Sequence, residues 1–312
     1  MQKARLVSKW FFLGVLCAGV FSGCISNKSA EKPKRLKILM IGNSFSVKMV
    51  EAMPPIAKDL GLGLDICSLY IGGSALAWHW FNAQVPTDSP YQVTRCTDGT
   101  FAKPFFGNIP KVIKSEQWDI VTIQQSSSLS WQPKTYHPWG DKLVTYIREN
   151  APQAKIVVQE TWSYTPWDPR LGEWKISQDE MYEKLHAAYA DFAKPYGFEI
   201  IPTGTAVQLV RKELPVRYRE DSLGGDVVGN AKFVKEDGKY VPKGDVFHMG
   251  PDGDYLQALV WTAKLFGADV TKTTSAPAGM DPKRAEFLRQ IAMKACVDPK
   301  KSDIAPGVRG GN

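Results

Sequence analysis

The sequence is poor in several things, and each shortage removes a class of function. Histidine occurs only four times. Neither these nor the cysteines fall at the short spacings that hold a metal ion, so no metal site is expected. No glycine-rich loop of the phosphate-cradling kind is present, and no cofactor is expected. The formal net charge is +7, yet the basic residues are scattered and form no block, which argues against a nucleic-acid partner. No apolar run reaches the length of a comfortable membrane span. There is no internal repeat and no low-complexity tract. Cysteine is sparse, with only Cys67, Cys96 and Cys296 beyond Cys24. In an oxidising compartment three thiols allow one bridge and leave one over, and the sequence does not choose the pair.

What is present begins with an address. Residues 1–23 carry Lys3, Arg5 and Lys9, then an apolar run from Trp10 to Phe21, then Ser22 and Gly23. A charged start, a short apolar centre and a small-residue end form the layout of a secretory signal peptide. Its end, Phe21-Ser22-Gly23-Cys24, resembles the lipobox of bacterial lipoproteins, with Phe21 in place of the usual aliphatic residue. The resemblance implies cleavage before Cys24 and lipidation there, hence a membrane partner through the anchor. It also implies a location at the bacterial outer membrane or cell surface, with the periplasm as the alternative. Residues 24–35 then form a polar tether.

The remaining length suffices for one large core without a second domain. A single domain is expected over residues 36–296, with insertions at 82–108 and 213–244 and a polar tail at 297–312. Strand-like apolar runs occur at 36–41, 64–71, 118–124, 155–159 and 198–201. Helical spacing occurs at 47–60, interrupted by Pro54 and Pro55, and at 141–150, 178–194, 206–212, 255–266 and 282–296. The alternation predicts an α/β fold, a three-layer α/β/α sandwich with a central parallel sheet. In such sheets ligands sit beyond the carboxyl ends of the strands. Residues 82–108, with Pro86, Pro90, Asp98-Gly99, Pro104 and Gly107, read as an irregular surface insertion. The stretch 232–241 reads as a small hairpin about Asp237-Gly238.

The chemistry gathers at LKILMIGNSFS, residues 36–46. Gly42 permits a sharp turn at the end of a buried strand, and Ser44 stands between that strand and the next helix. Ser44 reads there either as a nucleophile or as a helix cap. Far downstream, Asp245-x-x-His248 precedes a strongly apolar helix, and no other histidine has an aspartate at this offset. An imidazole can take and return a proton near neutral pH, and a carboxylate nearby can hold its other ring nitrogen.

GNSFS after the first strand, Gly72-Gly73 after the second and Asp245-x-x-His248 before the last core helix together resemble the SGNH (GDSL-type) hydrolase superfamily. The run from KILMIGNSFS through IQQSS to DVFHMGPDGDYLQALVW resembles a poorly characterised branch of exported Bacteroidetes-type proteins within it. The resemblance implies a flavodoxin-like α/β/α fold and serine ester hydrolysis. By position, Ser44 would be the nucleophile, His248 the general base and Asp245 its orienting partner. The pattern Gly42-x-Ser44-x-Ser46 at the first strand also differs from the Gly-x-Ser-x-Gly of α/β-hydrolases.

In that superfamily the oxyanion hole combines the nucleophile's own amide, a glycine amide and an asparagine side chain. The first two correspond to Ser44 and to Gly72 or Gly73. The third loop lacks its Gly-x-Asn-Asp form and offers Gln124-Gln125 followed by three serines. Gln125 is the expected donor and Gln124 the alternative, since consecutive strand residues face opposite ways. Aromatic residues crowd the loops after the strands. Trp162, directly after the fourth strand, and Trp78 are expected to meet the substrate, because flat rings suit the apolar faces of sugars. The expectation is a lipid-anchored serine esterase acting on an acylated, foremost acetylated, carbohydrate. The alternative is a catalytically silent glycan-binding lipoprotein of the same fold, which the missing asparagine favours.

Overall fold

The computed structural model describes residues 35–213 and 226–297. The signal segment, Cys24, the tether up to residue 34, part of the second insertion (214–225) and residues 298–312 of the tail lie outside these described residues.

From the N-terminal side, β1 (Arg35–Gly42) turns into α1 (Met49–Asp59), and β2 (Gly63–Tyr70) into α2 (Leu76–Ala83). An antiparallel arm follows, made of β3 (Tyr91–Thr97), β4 (Thr100–Phe101) and β5 (Phe105–Gly107), and ends at α3 (Ile109–Ile113). Next come β6 (Ile120–Ile123), α4 (Trp139–Asn150), β7 (Lys155–Gln159), α5 (Pro169–Trp174), α6 (Gln178–Ala193), β8 (Glu199–Ile201) and α7 (Thr203–Glu213). A hairpin of β9 (Lys232–Glu236) and β10 (Lys239–Lys243) precedes α8 (Pro251–Phe266) and α9 (Pro282–Cys296).

The main sheet runs β4-β3-β2-β1-β6-β7-β8, with β5 paired to β3. Its five parallel strands, β2-β1-β6-β7-β8, are the five expected apolar runs in a flavodoxin-like order. β1 lies between β2 and β6, so Ile38, Leu39, Met40 and Ile41 are all buried. That is why this strand reads as a continuous apolar run rather than an alternation. Helices α1, α7, α8 and α9 pack on one another in one layer, and α2, α3 and α4 in another. α6 joins the second layer through Tyr189 and Phe192, which meet Tyr136.

The insertion at 82–108 departs from expectation: it is sheet, not irregular loop. β3 lies antiparallel on β2, with Tyr91, Val93 and Cys96 buried. Asp98 (φ 49°) and Gly99 (φ 90°) make the tight turn into β4, with the two left-handed residues such a hairpin demands. Asp237 (φ 49°) and Gly238 (φ 76°) do the same for the β9–β10 hairpin, as expected. Nor do Pro54 and Pro55 interrupt α1, which runs through both. They delete two backbone donors, and burial of Met49, Val50, Met53, Ile56 and Ala57 keeps the helix in place.

No disulfide forms among Cys67, Cys96 and Cys296. Register pairs Cys67 with Arg95 and Ile66 with Cys96. The two neighbouring thiols therefore point to opposite faces of the sheet. Burial pushes the Cys67 thiol up to about 11. Among the described residues, no helix is long and apolar enough to cross a membrane.

Candidate active site

The turn after β1 is held by backbone bonds within it and by side-chain amides that reach it from neighbouring elements. A Cβ on Gly42 would meet Ser46 Oγ, so a larger residue here would force the Ser46 side chain to move. The Asn43 carbonyl accepts the amides of Ser46 (3.1 Å) and Val47 (3.2 Å). Its Oδ1 accepts from Phe45 N (3.0 Å) and from Gln124 Nε2 (2.6 Å), while its Nδ2 donates to Ser74 O (2.9 Å). Gln159 Nε2, at the end of β7, and Gln257 Nε2, on α8, both donate to Phe45 O at 2.8 Å. The turn is thus tied to the loop after β2, to the ends of β6 and β7, and to α8. Ser44 stands half-buried in its middle. Lys48 occupies the N-cap of α1 and no side chain caps that helix, so the capping role open to Ser44 is not the one it takes.

The histidine arrives on a second rigid piece. Residues 226–231 run alongside 245–250, with a bridge between Val228 and Met249. Gly229 N donates to His248 O (2.6 Å) and Gly250 N to Val227 O (3.0 Å). Asn230 N and Ala231 N donate to Asp245 O (2.8 and 3.1 Å), and Asn230 Oδ1 accepts Asp245 N (3.1 Å). Gly253 completes the fit, because a Cβ there would strike Val227 O and Met249.

Ser44 Oγ lies 2.9 Å from His248 Nε2, and His248 Nδ1 lies 2.7 Å from Asp245 Oδ2. The other Asp245 oxygen accepts the amides of Phe247 and His248, each at 2.9 Å. Partial burial alone would raise the Asp245 carboxyl. The two amides and the imidazole outweigh it and hold the group below the usual carboxylate range. Asp245 is therefore an anion at neutral pH, fixed by its own loop, and it selects the tautomer that leaves Nε2 free to accept from Ser44.

The other expected residues fare differently. Gln125 is fully buried, and its Oε1 accepts Leu76 N (3.1 Å) and Ser126 N (2.9 Å). Its Nε2 donates to Thr135 O (3.1 Å) and Thr135 Oγ1 (3.2 Å). Every group that could serve an oxyanion is engaged in holding the third loop, so Gln125 is a loop staple and not a donor to substrate. Gln124 is spent in part on Asn43. Gly72 and Gly73 sit exposed beside the turn, joined to it through the Ile71 N to Gly42 O bond (3.4 Å) and the Asn43–Ser74 bond. Among the described residues, the amides of Ser44, Gly72 and Gly73 have no protein acceptor.

Trp162 does stand beside Ser44, in the wall of a cavity of about 220 Å³ that Ser44, His248, Lys48 and Asp254 also line. It is no open platform, however. It is 1 % exposed, stacked on Phe45 (4.1 Å between centroids), with its indole N–H on Phe247 O at 2.8 Å. It props the serine turn against the histidine loop. Trp78 is 65 % exposed on α2 and does not line that cavity. Asn43, Gln159, Gln257 and Asn230 escaped the sequence reading. Gln257 carried the clearest signal, an amide inside the apolar run YLQALVW. Among the described residues, no group of three or more His, Cys, Asp or Glu could hold a metal ion.

Known proteins sharpen the placement. A DUF4886 family protein from Bacteroides uniformis is 26% identical, covering 84% of this chain and 94% of its own with a TM-score of 0.71. A candidate SGNH hydrolase from Slackia heliotrinireducens aligns at 20% identity over 72% of this chain and 96% of its own, TM-score 0.48. A candidate GDSL-like lipase from Parabacteroides merdae does so at 14% over 76% and 98%, TM-score 0.46. No curated protein matches the chain. The serine turn, the staple glutamines and the histidine loop all fall within residues 37–295, which one family profile matches, and the chain belongs to that family, described as a domain of unknown function, DUF4886.

Proposed function

We propose that this protein is a serine ester hydrolase that removes O-acyl groups, foremost acetyl, from a carbohydrate. The observation that carries the reading is the unbroken chain Ser44 Oγ to His248 Nε2 (2.9 Å) and His248 Nδ1 to Asp245 Oδ2 (2.7 Å). In the reaction Ser44 Oγ attacks the ester carbonyl while its proton passes to His248 Nε2. The imidazolium, stabilised by Asp245, returns that proton to the leaving alcohol, and an acyl-serine remains. Water, deprotonated by the same imidazole, then releases the carboxylic acid and restores Ser44. The free amides of Ser44 and of Gly72 or Gly73 serve the carbonyl oxygen as its charge develops. The carbohydrate half of the reading rests on the SGNH resemblance and on the expected surface location.

The engaged amide of Gln125 favours a second reading, a glycan-binding protein without turnover. One experiment separates them. The native protein should react with a fluorophosphonate at Ser44 and release acetate from an acetylated polysaccharide. Absence of both, with retained binding of that polysaccharide, would establish the binding protein instead.

Export and lipidation at Cys24 belong to the same proposal and rest on residues 1–24. Cys24→Ala should move the protein from the membrane to the soluble fraction on cell fractionation. A variant still held in the membrane would mean that the N-terminal segment is an uncleaved anchor.

A further inference from the structure

Beyond the cavity at Ser44 lies a second one of about 270 Å³, and the two share a single wall residue, Asp254. The second cavity is formed by Ala52, Pro55 and Ile56 of α1, by Pro251 and Tyr255 of α8, and by residues 275–277. Lys48, Ala52 and Pro55 follow one face of α1, so the walls of the two cavities continue along the same helix.

The far wall is fixed before any ligand arrives. The Asp59 carboxylate accepts Thr273 Oγ1 (2.6 Å), Thr274 N (2.6 Å) and Ser275 N (3.1 Å), and these bonds hold it below the usual carboxylate range. Tyr255 OH donates to Ser275 O at 2.8 Å.

Asp254 is the unusual member. Its carboxylate is partly buried in the first turn of α8 and has no hydrogen-bond donor among the described residues. Burial, with a smaller opposing pull from Lys48 and a small push from Glu51, raises it to about 6. A carboxylate taken out of water without donors is costly, so whatever fills these cavities should supply them. An acyl chain cannot, and it would desolvate the charge further. A cation would meet Lys48 in the same wall. A neutral ring bearing hydroxyls meets both demands, with O–H donors for Asp254 and C–H faces for the proline, isoleucine and tyrosine walls.

We infer that the cavity beyond Asp254 is the subsite for the alcohol half of the ester, a neutral pyranose ring whose free hydroxyls donate to the Asp254 carboxylate. This rests on the esterase reading and names its specificity residue. The acyl group is then confined to the Ser44 side, where a cavity of about 220 Å³ shared with the reacting atoms suits a small acyl group.

The test uses a panel of mono-O-acetylated methyl pyranosides, each beside its counterpart with the remaining hydroxyls O-methylated, and p-nitrophenyl acetate as a sugar-free reference. The native protein should favour the hydroxylated member of at least one pair by about 10- to 100-fold in kcat/KM, the scale of lost bonds to a charged acceptor. Asp254→Ala should cut that preference to within about twofold, with Asp254→Asn between the two. Ala276→Trp, placed on the exposed rim of the second cavity, should raise KM for the same ester about tenfold. The inference fails if the native protein hydrolyses p-nitrophenyl acetate but shows no preference in any pair, or if Asp254→Ala retains it. Failure to hydrolyse p-nitrophenyl acetate at all would instead overturn the esterase reading beneath it.

Discussion

Ser44→Ala and His248→Ala should each lower ester hydrolysis by roughly 10⁴- to 10⁶-fold, and the double variant should be little worse than either alone. A hydroxyl that cannot hand on its proton is a poor nucleophile, and an imidazole without the hydroxyl has nothing to activate. Under the proposed mechanism the two side chains, 2.9 Å apart, should therefore act as one unit. Asp245→Ala should lose less in the chemical step, about 10⁴-fold, because it orients and stabilises the imidazole without taking its proton. It should also loosen the loop, since Asp245 Oδ1 accepts two backbone amides. The fold should survive Ser44→Ala, whose hydroxyl caps no helix. Steady-state rates on p-nitrophenyl acetate, with circular dichroism as the folding control, decide the matter. Losses that multiply in the double variant would mean two independent groups rather than a relay.

Arg211→Met should destabilise the protein by about 3–5 kcal/mol, the cost of stranding a buried charge. Arg211 and Asp226 are 5 % and 0 % exposed in their side chains. Arg211 Nε and Nη2 donate to Asp226 Oδ2 at 3.1 and 3.0 Å, and Nη1 donates to Ser163 Oγ at 2.8 Å and to Ser163 O at 3.2 Å. Asp226 in turn accepts Val228 N at 3.2 Å and opens the 226–231 segment that carries the Asp245–His248 loop. Among the described residues, Arg211 is the one cation paired with Asp226, and the variant removes it. The histidine loop should then loosen, so activity should fall at denaturant concentrations where the core helices persist. Pairing Arg211→Met with Asp226→Leu should recover much of the loss, because removing both charges avoids the unpaired one. Urea denaturation followed by fluorescence measures the effect. A midpoint shift worth under about 1 kcal/mol in Arg211→Met would show that the pair holds nothing.

How far the sequence alone reached depended on whether the deciding interactions were local. The five parallel strands and the last two helices were legible because each buries its own apolar residues against whatever lies above it. The Asp237-Gly238 hairpin was legible because left-handed turn geometry is written in those two residues. Asp98-Gly99 carries the same geometry. It does not read as a hairpin because Pro86, Pro90 and Pro104 make the surrounding stretch look like loop, and only pairing with β2 shows where its strands lie.

At the site, residue types and roles could be assigned from Gly42 through Ser44 and from Asp245-x-x-His248, since each motif is completed within a few residues. Their meeting is implied by the family resemblance and not by any local pattern, because Ser44 and His248 are 204 residues apart and join only when two loops dock at one end of the sheet. Gln125 shows the limit most plainly. Its amide has the chemistry of an oxyanion donor, but its partners are Leu76, Ser126 and Thr135. A side chain's hydrogen-bonding capacity is set by its type, whereas the acceptor that claims it is set by what the fold brings within about 3 Å. The sequence alone determined which residues could carry an ester hydrolysis. The tertiary structure decided which of them stand free to do so.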